Sequence, residues 1–454
     1  MKLETVTQTV QQHIENNDWE AAAEAINALP TADIASVLDN LAIDASLKIF
    51  RRCQHTKQSS IFGYLNPQTQ SDILKKLRRA ELTSLFEKMD HDERADVYNR
   101  LSDEERQNIL PGLAHAERED IRTLASYKEG TIGSIMTSAY VSLEDNLTTT
   151  EALNRIRLEA PDAETIYQIY IIDKERHLKG TASLRDLMLA EPNATLKDFM
   201  ITDVLHAHAD EDRSIAAELI ARYDLLALPI VDNNQRIVGI VTHDDAFDVS
   251  RDKSTKDQMR LGAVMTSTAE PTLSLKNISI TLLYRMRVFW LIILVFGNIF
   301  SGAGIAYFEG LIERVVALVF FLPLLIASGG NAGAQSATLM VRAIATGDVK
   351  MRDWFSMLLK ETTVSLLLGL SMAVAVYFIG IYRAGAEIAI VVSLSMVLIT
   401  IVGSVIGMSL PFILTRFNQD PASASAPLVT TICDAVGILI YFNIAKLILD
   451  LPTF

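Results

Sequence analysis

From the N-terminus onward, the hydrophobic rhythm of the chain changes twice. Over residues 1–128 apolar positions recur at helical spacing, as in DIASVLDNLAIDASLKIF, QSDILKKLRRAELTSLFEKM and ERADVYNRLSDEERQNIL. Stripes of this kind, in units of roughly 25 residues, predict short helices stacked as a small solenoid, since one helix pair cannot bury its stripe alone. From 129 to 250 the order becomes strand, polar turn, strand, helix, and it occurs twice. YIIDKERHLKGTASLRDLM (170–188) aligns without gaps on PIVDNNQRIVGIVTHDDAF (229–247), setting Asp173 on Asp232, Gly180 on Gly239, Ser183 on Thr242 and Asp186 on Asp245. Ser/Thr-x-x-Asp opening a helix is a capping pattern.

Beyond a mixed connecting segment, 251–286, which is predicted to be helical, charge almost vanishes. Val288–Phe308, Val315–Val341, Thr362–Tyr382 and Ile388–Thr415 contain no Asp, Glu, Lys or Arg, and Ala424–Ala445 is interrupted only by Asp434. About 20 apolar residues cross a hydrocarbon core. Five membrane helices are therefore predicted within 287–454, and the fold class expected is a multidomain α plus α/β membrane protein. The polar start MKLETVTQTVQQHIENNDWE has no signal-peptide run. Arg285, Arg287, Arg342, Lys350, Arg352, Lys360 and Arg416 fall on one side of the spans, against Arg314 and Arg383 on the other. By the positive-inside rule the first 285 residues are expected in the cytoplasm and the C-terminus outside, in a multi-pass cytoplasmic-membrane protein surrounded by lipid.

Composition narrows the function classes. Half of the 454 residues are hydrophobic and the formal net charge is −14, which argues against nucleic acid as a partner. Cys53 and Cys433 fall in predicted cytoplasmic and membrane segments, so no disulfide framework is implied. No GxSxG, Walker or metalloprotease pattern occurs, and no enzyme is expected.

The chemistry lies in the apolar half. PLLIASGGNAGAQSATLMVRAIATGDV (323–349) combines Gly329, Gly330 and Gly333 with Asn331, Gln335, Ser336 and Thr338. Such glycines let helix backbones approach closely. A carboxylate inside a membrane helix costs at least about 2.5 kcal/mol. Arg416 and Lys446 lie about 18 and 12 positions from Asp434, roughly 27 and 18 Å along a helix, too far to neutralise it. A passing cation is the counter-charge this suggests; a protonated Asp434 inside the bundle and a proton relay are the alternatives.

The duplicated α/β unit resembles the paired CBS domain, in which equivalents of Thr242 and Asp245, and by symmetry Ser183 and Asp186, can hold an adenosine ribose; the plainer alternative is that they only cap helices. With the solenoid before it, and with GGNAGAQSATL and DPASASAPLVTTICDAVG in the membrane half, the whole chain resembles the MgtE family of magnesium transporters and channels. That resemblance implies a homodimer with the pore between subunits, lined by the second and fifth helices, where Asn331 and Gln335 would face it. Asp434 would be the pore carboxylate, Thr430 would complete the ion's shell, Gly437 would give it room, and Asp420 would be a charge at the cytoplasmic mouth. It also implies Mg²⁺ sensing by carboxylates, for which Asp92, Glu93, Asp96, Asp244, Asp245, Asp248, Asp252 and Asp257 are candidates. Mg²⁺, and ATP if the ribose reading holds, are the ligands expected. Two departures stand out: the connector mixes Arg251, Lys253, Lys256 and Lys276 with few acids, Glu270 standing nearly alone before the membrane, and Ala334 and Ala426 stand where some relatives carry asparagine. Transport of another divalent cation such as Co²⁺, proton-coupled exchange, and a CBS-bearing sensor that conducts nothing are the other function classes.

Overall fold

The computed structural model describes residues 3–449 apart from 103–105, 107, 108, 110, 112 and 265–278. The chain divides into two compact units, Met1–Arg251 and Asp252–Phe454.

The first unit begins with short helices: α1 (Leu3–Glu15), α2 (Trp19–Asn27), α3 (Thr31–Asp39), α4 (Ile43–Phe50), α5 (Gln58–Tyr64), α6 (Pro67–Leu74), α7 (Arg79–Glu87) and α8 (His91–Arg100), then His115–Ala125. Local chemistry sets their ends. Asp18 accepts from the Ala21 amide at the start of α2, and Asn66 accepts from the Thr69 amide while Pro67 occupies the first position of α6, where a missing N–H costs nothing. Their apolar stripes merge into one core containing Val10, Ile26, Ile34, Leu38, Ile49, Phe62, Ile73 and Phe86.

The duplication then appears as two three-stranded sheets of identical topology. Strand β1 (Tyr140–Glu144) pairs parallel with β2 (Thr165–Ile172), which pairs antiparallel with β3 (Leu178–Ser183). Strands β4 (Ala207–His208), β5 (Ala227–Val231) and β6 (Ile237–Thr242) repeat this order. The copies join at their hairpin turns, where the Ile237 amide donates to the Arg176 carbonyl (3.1 Å). Pseudo-symmetry explains the paired glycines. A Cβ on Gly180 would lie 2.7 Å from Met200 Sδ, and one on Gly239 would lie 2.7 Å from Met136 Sδ, so in each copy a methionine covers a strand that only glycine can bring close.

The expected connecting helix differs in its bounds. A single helix, His243–Leu261, begins at the second Thr-x-x-Asp cap and ends where Ala263 turns to φ 56°. Residues 265–278, including Glu270 and Lys276, lie outside the described residues.

Among the described residues of the second unit, five helical segments are long and apolar enough to cross a membrane: Ile280–Tyr307, Val316–Ala345, Met351–Ala384, Ala386–Arg416 and Ala426–Ile448. The fourth packs against the second, third and fifth, while the first rests mainly on the fifth and leaves most of its apolar surface exposed. Glycine sets the closest seam. Gly333 and Gly407 meet backbone to backbone, and a Cβ on Gly403 would lie 2.5 Å from the Gly329 carbonyl oxygen. Helices in lipid gain no hydrophobic drive from associating, so this close packing supplies their cohesion.

Candidate ion pathway and acidic cluster

Asp434 lies on the fifth span, half-buried, and its Oδ1 is withdrawn from solvent without a hydrogen-bond partner. One turn earlier Thr430 donates to the Ala426 carbonyl (2.8 Å), leaving the lone pairs of Oγ1 as acceptors. Its methyl lies over Gly330, where a Cβ would come within 2.8 Å, so glycine brings the second span against the Thr430 and Asp434 face of the fifth. One turn beyond Asp434, a Cβ on Gly437 would meet the side-chain atoms of Ile399 on the fourth span at ordinary contact distance.

The second span is two-faced. Gly329, Gly333, Ser336 and Ala337 are buried against the bundle, whereas Asn331, Gln335, Thr338 and Arg342, at helical spacing, are exposed along one line with Ala334 half-buried beside them. Amides facing lipid would leave polar groups unsatisfied. This stripe therefore requires water, ions or a second protein surface. Asp420 lies before the fifth span, where one oxygen accepts from the Ala422 amide (2.8 Å) and the other pairs with the Arg260 guanidinium. Ala426 is the first residue of that span.

In the first unit, Asp92 and Glu93 open α8, and Asp244 and Asp245 open the His243–Leu261 helix, both at helix N-termini where partial positive charge favours acids. Glu164, in the turn before β2, joins them; nothing in its sequence neighbourhood marks it. Burial pushes Glu93 up to about 8, with Asp92, Asp90, Asp245 and Glu164 adding repulsion. Burial likewise lifts Asp245 to about 8, with repulsion from Asp92, Asp244 and Glu164 exceeding the help of its bond from Thr242. Glu164 rises to about 7 and Asp92 is also raised, from burial first and neighbouring acids second. The Glu93 carboxylate lies directly on Gly63 of α5, where a Cβ would meet its Cδ at 2.6 Å. Asp96, a turn farther along α8, is exposed at the edge of this group. Asp248 is exposed and Asp252 half-buried; Asp257 is raised by burial despite Lys253 and Arg260 nearby.

These acids repel one another, and no three of them bring ligand atoms close enough to form a ready chelate among the described residues. Among the described residues, the one trio with ligand atoms within 4.8 Å of one another is Asp173, Glu175 and His177. Its Asp173 is already engaged by His177 Nδ1 (3.0 Å) and Lys179 (3.1 Å). Sequence reading also passed over His91, whose Nδ1 lies 2.9 Å from Ser138 Oγ and 2.7 Å from Asp120 Oδ2, beside the acidic cluster.

At the candidate nucleotide positions, Ser183 accepts from the Asp186 amide (3.1 Å) while Asp186 accepts from both the amide (3.0 Å) and the hydroxyl (2.6 Å) of Ser183. This is a complete capping box. In the second copy Thr242 donates to Asp245 (2.5 Å). A ribose would have to displace these bonds.

The chain matches three family profiles: the MgtE intracellular N domain over 10–130, the CBS domain over 196–252, and a family described as divalent cation transporter over 322–444. The magnesium transporter MgtE of Thermus thermophilus is 42% identical over 332 residues, 73% of this chain and 72% of that one. That of Bacillus subtilis is 35% identical over 72% of this chain and 71% of its own length. Among solved structures, the cytosolic domain of the Mg²⁺ channel MgtE in complex with ATP aligns over 54% of this chain and 99% of its own, at 33% identity and a TM-score of 0.51. The soluble part of a magnesium transporter aligns over 56% and 100%, at 27% identity and a TM-score of 0.50. Its helical solenoid, paired CBS copies and five apolar helices, with these matches across all three regions, place this chain in the MgtE family of divalent cation transporters.

Proposed function

We propose that this protein conducts Mg²⁺ through a pore formed between two copies in the cytoplasmic membrane, with its first unit in the cytoplasm and its C-terminus outside. The observation that carries this reading is the partnerless Oδ1 of Asp434, on the face where the second and fifth spans meet. Mg²⁺ gives up its waters reluctantly and accepts octahedral oxygen coordination. Two Asp434 carboxylates across a dimer axis would hold such an ion largely through its waters, with Thr430 oxygens beside them. A second copy against the Asn331, Gln335 and Thr338 stripe would turn that stripe into a wet lining. The bound ion leaves readily because its site is shallow and shared.

Gating follows from the acidic cluster. Ions that neutralise Asp92, Glu93, Glu164, Asp244 and Asp245 only when these acids are held together would shift the population toward that closed arrangement. Transport of another divalent ion, or exchange against protons, is the second reading, since a lone membrane carboxylate also suits a proton. No enzymatic role is proposed. Flux into liposomes, with and without a pH gradient, tests the assignment. Wild type should take up Mg²⁺ without needing the gradient, and Asp434→Ala and Asp434→Asn should lose most of that flux while the protein stays folded. Undiminished uptake by both variants removes the claim; uptake that depends on the gradient moves it to exchange.

A further inference from the structure

The Arg260–Asp420 contact joins the end of the connector to the loop that opens the fifth span. Three observations meet there. The His243–Leu261 helix closes immediately after Arg260: the Ala263 amide donates to the Arg260 carbonyl (2.9 Å), the Val264 amide donates to the Met259 carbonyl (3.0 Å), and Ala263 is buried in the left-handed region at φ 56°. A non-glycine residue pays for that conformation, so surrounding contacts must hold the helix end in place. Leu261 packs against the cluster of Val341, Ala422 and Ala424, drawn from the second span and the loop before the fifth. Asp420 is oriented by its bond from the Ala422 amide, so its second oxygen points to one place, and Arg260 fills it.

We infer that Arg260 is a positioning residue that acts as a tethered cation: it neutralises the loop carboxylate at the head of the fifth span and docks the connector there without any metal ion. This rests on the conduction reading only for its consequence, since the docking itself is independent of flux. A guanidinium satisfies a carboxylate permanently and with fixed geometry. A connector carrying acids at this point would instead need a divalent ion to bridge it to Asp420. Here the joint is assembled by the chain itself, because Arg260 supplies the positive charge that Asp420 faces. While the joint is closed Asp420 is not available to a passing ion; when it opens, the charge is released at the head of the fifth span.

The test is thiol accessibility in the full-length protein reconstituted in lipid. Leu261→Cys reports docking, and native Cys53 and Cys433 are both buried. In EDTA the reporter should be protected from a maleimide in an otherwise wild-type background. Arg260→Ala and Asp420→Asn, the second keeping the turn-forming oxygen, should each raise the labelling rate roughly two- to fivefold, as expected for a partly exposed ion pair. The reversed pair, Arg260→Asp with Asp420→Arg, should restore protection in EDTA. Equal labelling in all backgrounds in EDTA, protection that appears only when Mg²⁺ is added, or failure of the reversed pair to restore it would each overturn the inference. If wild type carries no Mg²⁺ flux but the labelling pattern holds, the conduction reading fails and the joint stands.

Discussion

At the scale of single residues, the structure separates acids that are satisfied from acids that are not. Asp173, Asp186 and Asp232 are wrapped by amides or cations and held below the usual carboxylate range. Glu93 and Asp245 are half-buried among their own kind. The Glu93 position leans on Gly63, so Gly63→Ala should push the carboxylate out of the cluster and weaken its response to Mg²⁺ several-fold, read as the concentration giving half-maximal thermal stabilisation. If the response is unchanged, Glu93 is not part of the sensor. For nucleotide, the competing bonds set the expectation. If Thr242 and Asp245 hold a ribose, millimolar ATP should raise the melting temperature of the full-length protein and Asp245→Ala should abolish the rise; no shift with wild type leaves the pair as a helix cap. Asp434 was legible in the sequence because an acid inside an uncharged run has no local partner. Gly437, one turn on from Asp434, is marked only by the resemblance; in the fold a Cβ there would meet Ile399 of the fourth span at ordinary contact distance.

At the scale of elements, the two membrane glycine pairs and the two strand glycines do the same job in different solvents: they let main chain approach main chain or a methionine cover a strand. Overpacking a tight contact typically costs about 1–3 kcal/mol, and more when the obstructing atom is backbone. Gly407→Ala, whose Cβ would strike the Gly333 carbonyl, should therefore lower the melting temperature of the detergent-solubilised protein markedly. Gly302→Ala, with nothing within 4 Å, should leave it unchanged. Equal effects of the two would mean that the seam between the second and fourth spans is not a close contact. The duplicated strand, turn, strand, cap pattern was readable because the two copies align without gaps, with the turn aspartate, the strand glycine and the Ser/Thr-x-x-Asp start recurring together. The connector's bounds were not, because its helical signal runs straight on from the second cap at His243 with no breaker between.

At the scale of the whole molecule, the raised acids make a linked prediction about pH and metal. Carboxylates held at about 8, 8 and 7 when docked, against about 4 when apart, bind more protons in the docked arrangement. Their contribution to docking is therefore fully present below about pH 4 and is lost as pH rises through 7 and 8. Without divalent ions the melting temperature of the full-length protein should fall between pH 5 and pH 8, and Mg²⁺ should restore more of it at pH 8 than at pH 5. Mg²⁺ added at pH 7 in weak buffer should also release protons, measurable with a pH dye; no release would mean that the ion does not displace protons from this cluster.

The sequence alone determined the layers of this protein: a solenoid, a duplicated α/β pair and five apolar helices. Those follow from local periodicity, repetition and the length needed to cross a hydrocarbon core, which are properties of neighbouring residues. It also marked Asp434, because the cost of an unpaired charge depends only on the run that surrounds it. Tertiary structure alone decided which distant groups meet. Glu164 joins Asp92, Glu93 and Asp245 from a turn with no distinguishing pattern, Asn331 and Gln335 line up outward because glycines claim the inward face, and Arg260 reaches Asp420 across 160 residues of chain. Contacts of that kind depend on how rigid elements pack in space, and packing is fixed by the shapes of whole faces rather than by the spacing of residues along the chain.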